Sequence, residues 1–185
     1  MRLLQSLGSD QNSPKRRINR APSPFLARGI PWLSIMIASL LPGWLTIASA
    51  PLMPPLGFLM FIAWRQLRPG VSPLWAGMPL GLFDDLYSGQ PIGSAVMLWS
   101  AAAIALDFVE ERLPWRNFLT EWMLAAGLII PYILFGLLLA NLAGATTPLQ
   151  VVLPQIAISI LTYPLAGRLV ALLDRLRLIH FVEIR

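Results

Sequence analysis

From residue 30 onward the chain is a succession of apolar runs broken by Pro, Gly and Arg, and its fourteen basic residues occupy only every second break. Arg2, Lys15, Arg16, Arg17, Arg20 and Arg28 precede the first run, and Arg65 and Arg68 follow the second. Arg112 and Arg116 join the fourth run to the fifth, and Arg168, Arg175, Arg177 and Arg185 close the chain. The breaks around Ala50, Gln90 and Ala145 carry no Lys or Arg. Basic residues accumulate in the short cytoplasmic connections of membrane proteins. The alternation therefore predicts six crossings with both termini in the cytoplasm, and most other counts would break it.

At 56% hydrophobic and 12% charged, with a mean hydropathy of +0.66, the chain lies far from soluble domains, where about 25% of residues are charged. The punctuation predicts spans over about 31–49, 52–64, 71–87, 92–113, 118–142 and 149–173. Crossing ~30 Å of hydrocarbon takes about 20 residues, so the second and third spans are short. The predicted fold class is an all-α integral membrane protein, with one six-helix domain over residues 30–178. Residues 1–29, basic and Pro-rich, read as a disordered cytoplasmic tail, and residues 179–185 as a short cytoplasmic C-terminal tail. A cleaved signal peptide, the competing reading of the start, needs an apolar stretch of about 7–15 residues and then a small-residue cleavage site. The first run is longer than that and leads into further membrane sequence. Trp32, Trp44, Trp64, Trp75, Trp115 and Trp122 fall near predicted span ends, as expected of an interfacial belt; Trp99 lies deeper.

Asp84 and Asp85 stand together in the run Gly81-Leu82-Phe83-Asp84-Asp85-Leu86-Tyr87-Ser88-Gly89-Gln90-Pro91-Ile92-Gly93. A single ionisable side chain at the bilayer centre costs roughly 2.5–3.5 kcal/mol, so the pair needs a reason. Three are open. The acids sit solvated at the periplasmic interface; or they brace the break by accepting amides of the Ser88-Gly89-Gln90-Pro91 turn; or they form a transport or proton-relay site, with Asn141, Asp107 and Thr162 as possible partners. Gly77 and Gly81, four apart, share a helix face and suit close helix approach. Asp84 falls on that face, with Asp85 turned by about 100°. Asp107, Glu110 and Glu111 share another face and are expected to meet Arg112, Arg116 or Arg168. Pro42, Pro79, Pro131, Pro154 and Pro164 interrupt the spans, which neighbouring helices make tolerable by re-satisfying the freed carbonyls.

The sequence points away from chemistry. There is no Cys, and the lone His180 and lone Lys15 lie in the tails, so a clustered Cys/His metal site or a Ser–His or Ser–Lys pair has no residues to build it. Adjacent aspartates on one helix point apart, unlike a protease dyad, and no Gly-rich phosphate loop with its Lys occurs. No cofactor is implied, and the basic residues form no stripe with interleaved aromatics for nucleic acid.

The pattern Gly-x-x-x-Asp-x-x-Ser-Gly-x-x-x-Gly, through Gly81, Asp85, Ser88, Gly89 and Gly93, resembles the signature stretch of the rod-shape-determining MreD family. Pro54-Pro55 leading to Trp64, and Tyr163-Pro164 followed by Arg168, Arg175 and Arg177, extend the likeness across residues 30–178. Asp85 matches the family's acidic position; Asp84 stands where an aliphatic residue is usual. The resemblance implies a multi-pass protein of the bacterial inner membrane, with a fold similar to the substrate-binding subunits of energy-coupling-factor transporters. It implies a non-catalytic scaffold or regulator of the elongation complex, which controls cell shape and peptidoglycan synthesis. The implied partners are an MreC-like protein and, indirectly, MreB, RodA and a penicillin-binding transpeptidase. The motif and partner-contact residues would be Gly77, Gly81, Asp84, Asp85, Ser88, Gly89, Pro91, Gly93, Trp64 and Pro164. The alternative is a small-solute-binding subunit of a transporter, against which stands the apparent shortage of polar side chains in the spans to line a pocket.

Overall fold

The computed structural model describes residues 24–45, 53–112 and 117–177. The tail expectations for residues 1–23 and 179–185, the break at Ala50, and Trp115 and Arg116 lie outside the described residues. All regular structure described is helical: α1 (Pro24–Leu45), α2 (Leu56–Leu67), a short 3-10 turn (Leu74–Ala76), α3 (Gly77–Ser88), α4 (Ser94–Arg112), α5 (Phe118–Leu142) and α6 (Leu149–Arg177).

Helix ends follow local chemistry where such chemistry exists. α5 starts where predicted because the Asn117 side chain accepts the Thr120 N–H at 3.0 Å, an N-cap bond. It stops ahead of Gly144, whose φ is +102°. α2 starts at Leu56, four residues later than expected, because Pro54 and Pro55 precede it and Pro55 holds the cap position. α1 reaches back to Pro24, so residues 24–29 of the stretch read as tail are helical.

The twelve-residue α2 is the centre. Every residue from Gly57 to Gln66 is buried, as expected of a helix apolar on all sides. The other five close a ring around it: α1 on α3, α3 on α4, α4 on α5, α5 on α6 and α6 on α1. Phe58 stacks on Tyr132 of α5 at 4.1 Å between centroids and Phe61 on Trp99 of α4 at 5.1 Å. Such pairs add to plain area burial.

Outside, the molecule is apolar: Leu33, Ile37, Ile104, Phe108, Leu161 and Leu165 are all exposed, far beyond the isolated patches of soluble monomers. Inside, it holds charge, for Arg65, Asp84, Asp85 and Asp174 are buried. α5 and α6 are each long and apolar enough to cross a membrane.

At one end of the bundle the C-terminal parts of α2, α4 and α6 converge. There Arg65 pairs with Asp107, and Arg68 Nε donates to Asp174 Oδ2 at 2.7 Å. Arg65 also donates to the carbonyls of Ser72 and Pro73 at 3.1 and 3.3 Å. Asp107 thus meets Arg65, which is not among the expected partners Arg112, Arg116 and Arg168, because α4 packs against α2 and its C-terminal half lies beside Arg65.

Trp64 departs from the interfacial expectation. It is fully buried and donates its indole N–H to Ser34 Oγ at 2.9 Å, since α2 is enclosed on every side. Trp44 and Trp75 are exposed, with Trp75 against Trp32 at 5.7 Å. Trp122 has a separate role. Pro164 has no N–H to offer the Ile160 carbonyl one turn back, and Trp122 Nε1 donates to that carbonyl at 2.9 Å.

Candidate functional site

The Gly81–Gly93 run folds into one device at the opposite end of the bundle. A Cβ on Gly81 would stand 2.7 Å from the Ala95 carbonyl oxygen and 2.8 Å from Val96 Cα, both backbone, and one on Gly77 would reach 3.0 Å from Trp99 and Ser100 backbone. The small-residue face therefore lets α3 lie directly on the backbone of α4. Gly89 ends α3 in the left-handed region at φ +69°, and Gly93 opens the way into α4 at φ +98°. Both conformations disfavour any side chain.

Asp85 completes it. Its Oδ2 accepts the Gly93 N–H at 2.8 Å and the Val96 N–H at 3.3 Å. Its Oδ1 accepts the Ala95 N–H at 2.8 Å and the Ser94 hydroxyl at 3.0 Å. The Ser94 N–H goes to the Pro91 carbonyl at 3.0 Å. The first four amides of α4, which no helical carbonyl can serve, are all satisfied. A carboxylate also suits the positive end of the helix dipole. The amides it holds are those of residues 93, 95 and 96 rather than the 88–91 turn, because Asp85 sits one turn beyond Gly81 on the face that touches α4. The face assignment is corrected accordingly: Asp85, not Asp84, continues the glycine stripe toward α4. Ser88 and Pro91 are exposed at the tip, beside Leu86, Tyr87 and Ile92.

Asp84 points elsewhere, and neither acid is solvated at an interface: they are 7% and 3% exposed, covered by α1, α4 and α5. Tyr132 Oη donates to Asp84 Oδ2 at 3.3 Å, and among the described residues no cation pairs with this carboxylate. Asp84 lines a cavity of about 270 Å³ with Ser39, Gln90, Tyr132 and Gln155. A larger one of about 640 Å³, bordered by Gly136, Ala140 and Thr147, shares Pro55, Gln90, Tyr132 and Gln155 with it. The Gln155 amide is oriented by donating to the Met53 carbonyl at 2.9 Å.

Tyr132, Gln90, Gln155 and Ser39 were not singled out from the sequence, and they correct the impression that the helices lack polar groups for a pocket. Gln155 carried a signal, as an amide inside an apolar helix; Tyr132 carried none. Asn141 is spent on Thr147, donating to its carbonyl at 3.1 Å and accepting its N–H at 3.0 Å. The Thr162 hydroxyl donates to the Ile158 carbonyl at 2.7 Å, and Asp107 lies at the far end. The structure therefore does not bring the three suggested relay partners to the aspartates. Trp64 and Pro164 also lie away from the motif. Comparison with known protein families, curated proteins and solved structures finds no match for this chain.

Proposed function

We propose that this chain is a non-catalytic scaffold of the MreD type in the bacterial inner membrane. It spans the membrane six times with both termini cytoplasmic, and acts in the cell-elongation complex. An MreC-like protein is its direct partner, and MreB, RodA and a penicillin-binding transpeptidase are reached through it. The observation that carries this reading is the α3–α4 tip. Gly81, Asp85, Gly89 and Gly93, the residues of the family-like pattern, act together to lock the end of α3 to the start of α4. The locked tip presents Leu86, Tyr87 and Ile92 outward, at 63, 57 and 77% exposure. A rigid apolar tip suits partner contact, because little conformational entropy is lost on binding.

The apolar exterior supports a bilayer setting, and the short α2 fits it, since a helix enclosed by protein need not match the hydrocarbon thickness. Gathering the C-terminal ends of α2, α4 and α6 at one end of the bundle supports the alternation that the basic residues suggest.

Photo-crosslinking from positions 86–93 in a living rod-shaped host that depends on this chain should capture an MreC-like protein, and depletion should round the cells. Normal rods on depletion, together with no captured partner, would sink the reading. The second reading, a small-solute-binding subunit, is favoured by one observation: the two adjoining cavities beside Asp84. It predicts a solute that raises thermal stability saturably.

A further inference from the structure

Asp84 is a carboxylate with a cavity in front of it and no counter-charge among the described residues. The charge on Asp85 is taken up by four donors from residues 93–96. Arg65 and Arg68 are paired at the far end. A buried charge is normally paired or bound to a cation. The cavity lining supplies acceptors: the Asp84 carboxylate, the hydroxyl oxygens of Ser39 and Tyr132, and the side-chain carbonyls of Gln90 and Gln155. The Gln155 amide nitrogen is already committed to Met53, which leaves its oxygen for a donor. Pro42, Met53, Pro54 and Leu56 add apolar wall, and Tyr87 and Ser88 bring two further hydroxyls to the lining.

We infer that this cavity binds the ammonium group of a small organic cation, with Asp84 as its counter-ion. An ammonium brings three donors and no acceptor, the complement of the lining. A bare Ca2+ ion needs six to eight oxygens drawn in to about 2.3–2.6 Å, and a space of about 270 Å³ is too roomy for that cage. The hydrocarbon part of the ligand extends toward the larger cavity past Gly136 and Ala140, where the walls are small and apolar. The inference rests on the solute-binding reading and names its ligand class; it does not require the scaffold reading.

The test measures thermal unfolding of the full chain in neutral-lipid nanodiscs, titrated separately with n-butylammonium chloride, n-butanol and sodium chloride at matched ionic strength. Butylammonium should give a saturable rise, roughly 5–10 °C at about 100 times its Kd. Asp84→Asn should weaken its binding about tenfold or more. Gly136→Leu, where an added Cβ meets nothing closer than Gln90 Oε1 at 4.0 Å, should weaken it by narrowing the path while the carboxylate stays in place. An equal rise with sodium, or a butylammonium rise unchanged in both variants, overturns the assignment. A rise with butanol alone overturns the ammonium class and leaves solute binding standing; no rise with any probe removes both.

Discussion

Replacing Asp85 by Asn keeps the side chain's size and removes its charge and one acceptor. The carboxylate makes two short bonds to backbone amides, at 2.8 Å to Gly93 and 2.8 Å to Ala95, one on each oxygen. The amide has a single oxygen, so whichever way it turns, its NH2 faces an N–H that it cannot serve. Leaving one buried donor unsatisfied costs about 1–3 kcal/mol. Removing the anion from the helix start costs a further ~0.3–1 kcal/mol, rising to about 2 kcal/mol where the site is partly buried. The sum, about 1.3–5 kcal/mol, corresponds to a fall in unfolding midpoint of roughly 3–20 °C for a chain of this length. Tryptophan fluorescence in nanodiscs reads the midpoint, and hydrogen exchange at residues 93–96 reads the site, where protection should drop while that of α5 is kept. Asp84→Asn is the contrast: it discharges a buried carboxylate that has no paired cation among the described residues, so its midpoint should stay level or rise. An Asp85→Asn midpoint within about 2 °C of wild type with amides 93–96 still protected, or a larger loss for Asp84→Asn, would refute the capping argument.

Gly81→Ala should destabilise by about 1–3 kcal/mol, since its Cβ meets the Ala95 backbone rather than a movable side chain; a midpoint equal to wild type would mean that α3 does not lie on α4 as described. Trp122→Phe should cost about 1 kcal/mol by freeing the Ile160 carbonyl, and the same change should be nearly neutral beside Pro164→Ala, which restores a helical N–H. A double-mutant cycle of unfolding midpoints reads that coupling. Asp107→Leu should destabilise more than Arg65→Met, because it leaves the 6%-exposed Arg65 cation buried without its counter-ion, whereas the Asp107 left by Arg65→Met is 41% exposed and solvated. Equal losses in thermal unfolding would contradict that asymmetry.

Much of the helical layout was legible because its determinants are local. Asn117 and Gly144 bound α5 within a turn of its ends, and the apolar runs mark the helices whatever packs against them. Ends governed by tertiary enclosure were less legible: α2 looks like a short span with an interfacial Trp64, and proves to be a central helix buried on all sides. Its composition alone cannot separate a face turned to lipid from one turned to protein, since both favour the same residues. The pattern through Gly81, Asp85, Ser88, Gly89 and Gly93 was visible as residues, and its glycines could be expected to serve a close approach and a turn.

What the chain's order of residues determined by itself was where helices form, where they stop, and that two aspartates stand side by side at a break. Only the packing decided what each aspartate does. Positions 84 and 85 differ by about 100° of helix rotation. That rotation places one carboxylate on the open amides of α4, and turns the other to Tyr132 and a cavity. Which neighbour each would meet depends on α4 and α5 arriving from later in the chain, and no local rule encodes that arrival.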